Sequence, residues 1–304
     1  MARDKLCGCM HPAPEIETLF TIVPLLAAHP RAAWRVSLLG GITNRSFRLQ
    51  AADLDLVLRW PGTSASRYLD RRAEPLNAAA VADLGIAPPV LAADPDAGWY
   101  ITAFASGAEA LHDAAFADPA TLAAALDLLS RLHRSKIAFP FRQGLFQAID
   151  LYLDLAPAPA MRQARRMLEP VRLALQRNPM PLAPCHIDPN PANFLRRADG
   201  RLLLIDWEFA AMEEPLWDLA AVSMETGLGV AAETALIEPR IGAAQMPRFE
   251  LYKTTLNLVA ASWCEAEMVA GNDSPYLIAL RDARLHRLGE RLAHPRHAEW
   301  LGRA

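Results

Sequence analysis

Hydrophobic and polar positions change rhythm about one third of the way along the chain. Up to residue 104 the rhythm is mostly alternation. Trp34-Arg35-Val36-Ser37-Leu38-Leu39 runs into Gly40-Gly41, Ser46-Phe47-Arg48-Leu49-Gln50 returns, and Leu54 to Trp60 follows before Pro61-Gly62 stops it. Period-two patterning sends neighbouring side chains to opposite faces of a sheet, so these three segments predict an antiparallel meander. Tyr68 to Leu84 takes the helical period and stops at Gly85, with Pro88-Pro89 beyond. Residues 90–93 and 99–104 predict a second hairpin about Asp94-Pro95-Asp96.

Beyond Ser106-Gly107 the period lengthens to that of helices. Pro119 to His133 is Ala- and Leu-rich, with Asp118 placed to cap its first turn. Further helices are predicted over 145–155, 160–176, 215–226, 247–270 and 274–292, and Pro14 onward is expected to pack a helix on the sheet. The fold class expected is α+β and bilobal. A small antiparallel-sheet lobe over 1–105 would bind nucleotide, and a mostly helical lobe over 106–304 would carry catalysis and the acceptor.

The most informative stretch lies in the helical part. Cys185-His186-Ile187-Asp188-Pro189-Asn190-Pro191-Ala192-Asn193-Phe194 has the spacing H-x-D-x-x-x-x-N, and Leu202 to Ile205 is a short apolar strand that presents Asp206 at its end. An H-x-D alone arises often by chance, and Asp, Asn and Pro crowd ordinary loops. The joint pattern in this order is much rarer and matches the parts that phosphoryl transfer from a nucleotide to a hydroxyl requires. In that reading Asp188 is the general base, and Asn193 and Asp206 are oxygen ligands for Mg2+. His186 joins the catalytic set by holding the loop rather than by touching substrate.

Upstream, Gly40 and Gly41 allow close approach of the backbone to a phosphate of ATP, and Thr43, Asn44 and Arg45 are candidate donors. A Gly-Gly hairpin is usually only a hairpin; its position ahead of the catalytic pattern gives it weight. Arg59 closes the third strand and Glu74 lies on the following helix, the places where a kinase needs a cation and its partner acid. Phe104 to Gly107 is expected to be the hinge that receives adenine. No G-x-x-x-x-G-K-[ST] occurs in the chain.

Composition narrows the class. The chain has 304 residues, 52% of them hydrophobic and 21% charged, which is globular rather than disordered. A formal net charge of −3 gives no electrostatic reason to expect nucleic acid. Cys7, Cys9, Cys185 and Cys264 form no paired zinc spacing, no segment reads as a secretory signal, and no run is long enough for a membrane span. The default expectation is a reduced, cytoplasmic enzyme of open oligomeric state.

These residues resemble the choline/ethanolamine kinase and aminoglycoside phosphotransferase superfamily, with the bacterial choline kinases and then the thiamine kinases as the most similar branches. The resemblance spans roughly 38–292. It rests on L-G-G-I-T-N-R-S-F, V-L-R-W-P-G, D-R-R-A-E-P-L-N, L-G-I-A-P-P-V, C-H-I-D-P-N-P-A-N-F and L-I-D-W-E-F-A-A-M-E-E-P-L-W-D-L-A. It implies a protein-kinase-like fold that uses ATP and Mg2+, with Asp188 as base, Asn193 and Asp206 on the metal, and Arg59 paired with Glu74. It also implies that Asp218 braces the catalytic loop and that Glu225 belongs to the acceptor pocket. Thr226 departs from the animal choline kinases, which are aromatic there.

The acceptor implied is a small cationic alcohol, most simply choline. A quaternary ammonium is held by aromatic faces and carboxylates. The candidates are Trp207, Trp217, Trp263 and Tyr276, with Glu208, Glu225, Glu265 and Glu267. Of the last two, helical spacing lets at most one face the cleft. Thiamine, ethanolamine and an aminoglycoside are alternative acceptors. A catalytically idle nucleotide-binding relative is the reading of a different class, and the intact Asp188, Asn193 and Asp206 set argues against it.

Overall fold

The computed structural model describes residues 14–41, 44–62, 67–142, 144–272 and 274–304, with side chains from Ile16 onward. Thr43, a candidate phosphate donor, and the Cys7-Gly8-Cys9 segment lie outside the described residues. The alternating segments form a five-stranded antiparallel sheet of order β1-β2-β3-β5-β4. Its strands are β1 (Arg35–Gly40), β2 (Asn44–Ala51), β3 (Leu54–Pro61), β4 (Val90–Asp94) and β5 (Trp99–Ala103).

Alternation gives this sheet two different faces. Phe47, Leu49, Leu56, Leu58, Trp99 and Ile101 point one way, into a cluster with Ile16, Leu19, Phe20, Val23 and Leu26 from three single helical turns. Those turns are α1 (Pro14–Glu17), α2 (Leu19–Ile22) and α3 (Pro24–Ala27), so the expected N-terminal packing is present but broken into pieces. Ser46, Val57, Arg59, Tyr100 and Thr102 point the other way and line a cavity.

Between β3 and β4 lies α4 (Ala73–Ala82), five residues shorter at its start than the pattern predicts. The preceding residues are drawn elsewhere. Asp70 turns the chain by accepting the N–H of Arg72 (2.9 Å), and Tyr68 reaches Glu267 with its hydroxyl (2.8 Å).

After Phe104, whose N–H donates to the Asp55 carbonyl at 2.9 Å, the helical part begins. It contains α5 (Pro119–His133), α6 (Leu145–Leu155), α7 (Pro159–Met167) and α8 (Glu169–Arg177). Asp118 caps α5 as expected, accepting N–H bonds from Ala120 and Thr121. The predicted helix over 160–176 is two helices. Pro170 has no N–H for the ladder and sits at the start of the second, after a break at Leu168.

The catalytic stretch is carried by short strands: β6 (Glu109–Ala110), β7 (Ala183–Cys185), β8 (Phe194–Arg196), β9 (Leu202–Leu204) and β10 (Ala211–Glu213). They pair as β6-β8-β9 and β10-β7. Next come α9 (Leu216–Thr226), the short turns α10 (Val230–Ala232) and α11 (Glu238–Ile241), the 24-residue α12 (Met246–Val269), α13 (Pro275–Leu292) and α14 (His297–Arg303). The main hydrophobic core fills this part and is separate from the cluster on the outer face of the sheet. Among the described residues no helix is long and apolar enough to cross a membrane.

Candidate active site

The loop after β7 is fixed from below by one carboxylate. Asp218, fully buried on α9, accepts the backbone N–H groups of His186 (2.9 Å) and Ile187 (2.7 Å) and meets His133 Nε2 at 2.8 Å. The next residue back, Trp217, donates its indole N–H to the Ile187 carbonyl at 3.0 Å. His133, Cys185 and Asp218 form a tight buried group, but the oxygens of Asp218 are already taken by these donors, so the group reads as a brace and not as a metal site. Burial pushes the Cys185 thiol up, in keeping with an inert core residue.

His186 touches no cavity. It is 0% exposed, lies edge-on to Trp207, and bonds the Ile205 carbonyl through Nε2 at 2.9 Å. It ties the catalytic loop to the strand that ends in Asp206, and burial holds its pKa down. Ile187 and Asp206 both adopt left-handed backbone (φ 72° and 71°), a conformation costly for a residue with a side chain, of order 1–3 kcal/mol each. These two residues aim the loop. Each abrupt turn redirects the chain at one of the two carboxylates that matter.

Asp188 accepts from Asn190 Nδ2 at 2.5 Å, while Asn193 Nδ2 donates to the Asp188 carbonyl at 2.9 Å. Burial, then the negative charges of Asp206 and Glu225, push the Asp188 carboxyl up to about 7. Across from it, Arg59 donates to Glu74 at 2.8 Å and to Asp206 with the other arm of its guanidinium. Burial works against the Arg59 charge, but Asp206 and Glu74 outweigh it and the group stays cationic. Tyr100, directly across from Arg59 in the sheet register, adds a 3.0 Å bond from its hydroxyl to Glu74.

Asn44 departs from its expected role as a phosphate donor. It is buried, and its amide donates to Glu74 (2.9 Å) and Glu208 (2.8 Å) while its carbonyl accepts from Arg71 (2.6 Å) and the Gly62 N–H (3.1 Å). All four hydrogen-bonding positions of the amide are therefore filled. The Arg45 guanidinium lies over the Phe47 ring, and Arg45 is not among the residues lining either cavity. Gly40 and Gly41 do line one, at φ 121° and 130°, and a side chain at Gly41 would collide with the Asn44 carbonyl.

Two cavities meet at Asp206. One of about 460 Å³ lies under the sheet, between the two glycines, Arg59, Thr102 and Phe104. The Arg48 guanidinium stacks 3.8 Å from the centre of the Phe104 ring, so one face of that ring is already taken. The other cavity, of about 770 Å³, is walled by Asp188, Asn193, Glu208, Glu225, Trp217 and Trp263, among others. Both are within the usual size of small-molecule sites, roughly 300–1,000 Å³. Asp206 and Ala192 border both.

The acceptor candidates divide. Trp217, Trp263, Tyr276, Glu208 and Glu225 face the larger cavity. Trp207 does not; past the left-handed turn at Asp206 it is 2% exposed and borders the smaller cavity. Neither late-helix acid turns inward. Glu265 pairs with Arg281 at 3.1 Å, and Glu267 is buried beneath the Tyr68 hydroxyl. Trp263 is steadied by its indole N–H on that same hydroxyl (3.2 Å). Tyr68, Tyr152 and Phe209 form an aromatic wall beside it. Sequence reasoning missed Tyr100, Asn190, Tyr152 and Arg284, of which Tyr100 was recoverable from the strand pairing.

The donors fit a hard divalent cation. With Asn193 turned so that its amide nitrogen faces Asp188, its carbonyl oxygen is left for a ligand, and Asp206 supplies a partly exposed carboxylate. Oxygen donors of this kind, with room for water, suit Mg2+.

Fold and site together define a bilobal, kinase-like phosphotransferase. The profile of the phosphotransferase enzyme family known as APH matches residues 35–251, and the chain belongs to that family. The chain is similar to a choline/ethanolamine kinase family protein from Mesorhizobium loti, at 30% identity and TM-score 0.78, over 95% of this chain and 97% of that one. It is 29% identical to protein LicA of Haemophilus influenzae over 210 residues, 66% of this chain and 61% of that protein's length, so the match spans about three fifths of that relative. It is also 37% identical to thiamine kinase of Shigella boydii over 100 residues, 32% of this chain and 35% of that one.

Proposed function

We propose that the protein is an ATP-dependent small-molecule kinase that transfers the γ-phosphate to the primary hydroxyl of a small cationic alcohol, most simply choline. One observation carries this reading: a nucleotide-sized cavity and an aromatic, acid-lined cavity share the Asp206 carboxylate as their common wall. A donor phosphate on one side and an acceptor hydroxyl on the other would be in line there, and positioning supplies most of the catalysis in phosphoryl transfer.

The residues divide the work. In this reading 1–105 is assigned to the nucleotide lobe and 106–304 to the catalytic and acceptor lobe. Asp188 takes the hydrogen bond of the attacking hydroxyl, and its raised pKa suits it to receive the proton late. Asn193 and Asp206 would hold Mg2+, which would supply charge neutralisation at the phosphates. Arg59, kept in place by Glu74, turns its charge to the phosphates. Gly40 and Gly41 let the backbone close over them. His186 and Asp218 position the loop, and the aromatic wall with Trp263 and Glu208 receives the cation, with Glu225 bordering the acceptor beside Arg284.

Thiamine is the second reading, favoured by the 100-residue match to a thiamine kinase. Release of ADP by the purified protein with Mg-ATP, measured in parallel with choline, ethanolamine, thiamine and kanamycin, decides. Choline-dependent turnover is expected. Turnover with thiamine alone would replace the acceptor and keep the mechanism. ATP binding without turnover on any of the four would overturn the kinase reading for these acceptors.

A further inference from the structure

Among the described residues that line the acceptor cavity, one brings a permanent positive charge, Arg284. It stands on α13 in the stripe Tyr276, Leu280, Arg284, four residues apart. Tyr276 is 61% exposed at the outer end of the stripe and Arg284 6% exposed at the inner end. The guanidinium reaches across to α9 and forms an ion pair with Glu225, its one hydrogen-bonding partner among the described residues. Its Nε is buried without a partner. A buried guanidinium so incompletely satisfied gains little stability for the fold, since apolar replacement of such a pair is often neutral or better. The pair is better explained by what it does to the cavity.

Glu225 is the carboxylate that would otherwise offer a cation the deep end of the pocket. With Arg284 against it, the charge of Glu225 is offset within that pair, while Asp113, Asp188, Asp206 and Glu208 also line the cavity. Asp113 opposes Arg284 in its effect on Glu225 and Arg287 adds to it, and Asp188 feels the charge of Glu225 as well. An acceptor with one cationic centre can leave it against the aromatic wall by Trp263. In an acceptor with two, a second centre that extends toward α13 meets Arg284. Like charges in a partly buried cavity repel far more strongly than in water.

We propose that Arg284 is a specificity-determining residue that limits the acceptor to a single positive charge. This rests on the acceptor reading above. It is tested with KM and kcat for choline and for a bis-quaternary analogue, in which the hydroxyethyl-dimethylammonium group is joined through a propyl chain to a trimethylammonium group. The variants are R284M, E225Q and E225Q/R284M, each checked by its melting curve.

R284M is expected to shift the ratio of kcat/KM, dication to choline, upward by about tenfold or more, equivalent to about 1.4 kcal/mol. E225Q, which leaves Arg284 uncompensated, is expected to shift it downward. The double variant restores neutrality and is expected to return the ratio toward that of the parent. An unchanged ratio in both single variants overturns the proposal, and so does a double variant as permissive as R284M, which would mean that space and not charge was the barrier. If R284M does not fold, an unchanged ratio in E225Q alone overturns it. A parent enzyme inactive on choline overturns the acceptor reading, and this inference with it; choline turnover with an unmoved ratio overturns this inference alone.

Discussion

The side-chain amide of Asn44 donates a 2.8 Å hydrogen bond to Glu208, across 164 residues of chain. The same NH2 group bonds Glu74, so one buried amide joins the strand after the glycine turn, the helix that holds Arg59, and the segment just past Asp206. Removing it leaves two buried carboxylates facing each other with a donor missing. Asn44→Leu is expected to lower the melting temperature and to cost about 1–3 kcal/mol for each acceptor left unsatisfied. Asn44→Asp, which adds a third carboxylate, is expected to be worse. Equal melting temperatures for Asn44→Leu and the parent would show that the joint is not needed.

Loop position and loop chemistry are separable. Asp188→Ala is expected to reduce turnover by about two to four orders of magnitude, the range for a lost general base, with the fold intact. Asp218→Asn replaces one acceptor oxygen with an NH2 group that faces a backbone donor. It should both lower stability and reduce kcat, with nucleotide affinity nearly unchanged because Asp218 touches neither cavity. Steady-state kinetics and melting curves on the two variants check this. Loss of nucleotide binding in Asp218→Asn would contradict it.

Stability should depend on pH through Glu213. Burial, with the neighbouring Glu214 charge adding to it, pushes its carboxyl from 4.5 up to about 7, despite an N–H bond from Glu214. The folded state therefore holds this proton more tightly than the unfolded one. The contribution of Glu213 is most favourable below pH 4.5 and is lost as pH rises through 7, an amount of about 3 kcal/mol. Glu213→Gln keeps the acceptor oxygen and removes the ionisation. Urea titrations at pH 5 and 8 should find the variant more stable than the parent at pH 8 and the gap small at pH 5. A gap of the same size at both would remove Glu213 as the source.

Arg248 and Glu214 form a buried pair joined at 2.7 Å, and Arg248 also donates to the Leu175 carbonyl at 2.8 Å. Arg248→Met strands a buried carboxylate and is expected to cost about 3–5 kcal/mol, whereas Glu214→Gln with Arg248→Met should recover most of that loss. Chemical denaturation of both variants gives the comparison. A double variant as unstable as the single one would show that packing, not charge, sets the cost.

Where a single element dictates its own geometry, the chain is readable. The strands, the Asp118 cap and the extents of most helices follow from local pattern, and the spacing from His186 to Asp206 brings its members to one place. What escapes is whatever depends on a distant partner. Asn44 sits in a glycine-rich turn and reads as a phosphate donor until Glu208 is known to lie above it. Trp207 reads as a candidate for the acceptor cation, but past the left-handed turn at Asp206 it borders the smaller cavity instead. Arg284 is one arginine among many on a polar helix, and only the packing of α13 on α12, which brings it opposite Glu225 of α9, shows what it faces. The break at Leu168 was legible from Pro170.

The outer cluster of the sheet reaches beyond the family match. The span that carries the family's chemistry, 35–251, begins on β1 and ends inside the 24-residue α12. Ile16, Leu19 and Phe20 precede it and cover apolar strand residues, and Trp263, Tyr276 and Arg284 follow it and complete the acceptor wall. The borders of the family match and the borders of the packed structure therefore differ at both ends. A fragment cut at the borders of the match would keep every phosphate-handling residue and still expose a sticky sheet face, losing solubility before it lost any catalytic group. The flanks outside that span thus supply cover for the sheet at one end and part of the lining of the larger cavity at the other.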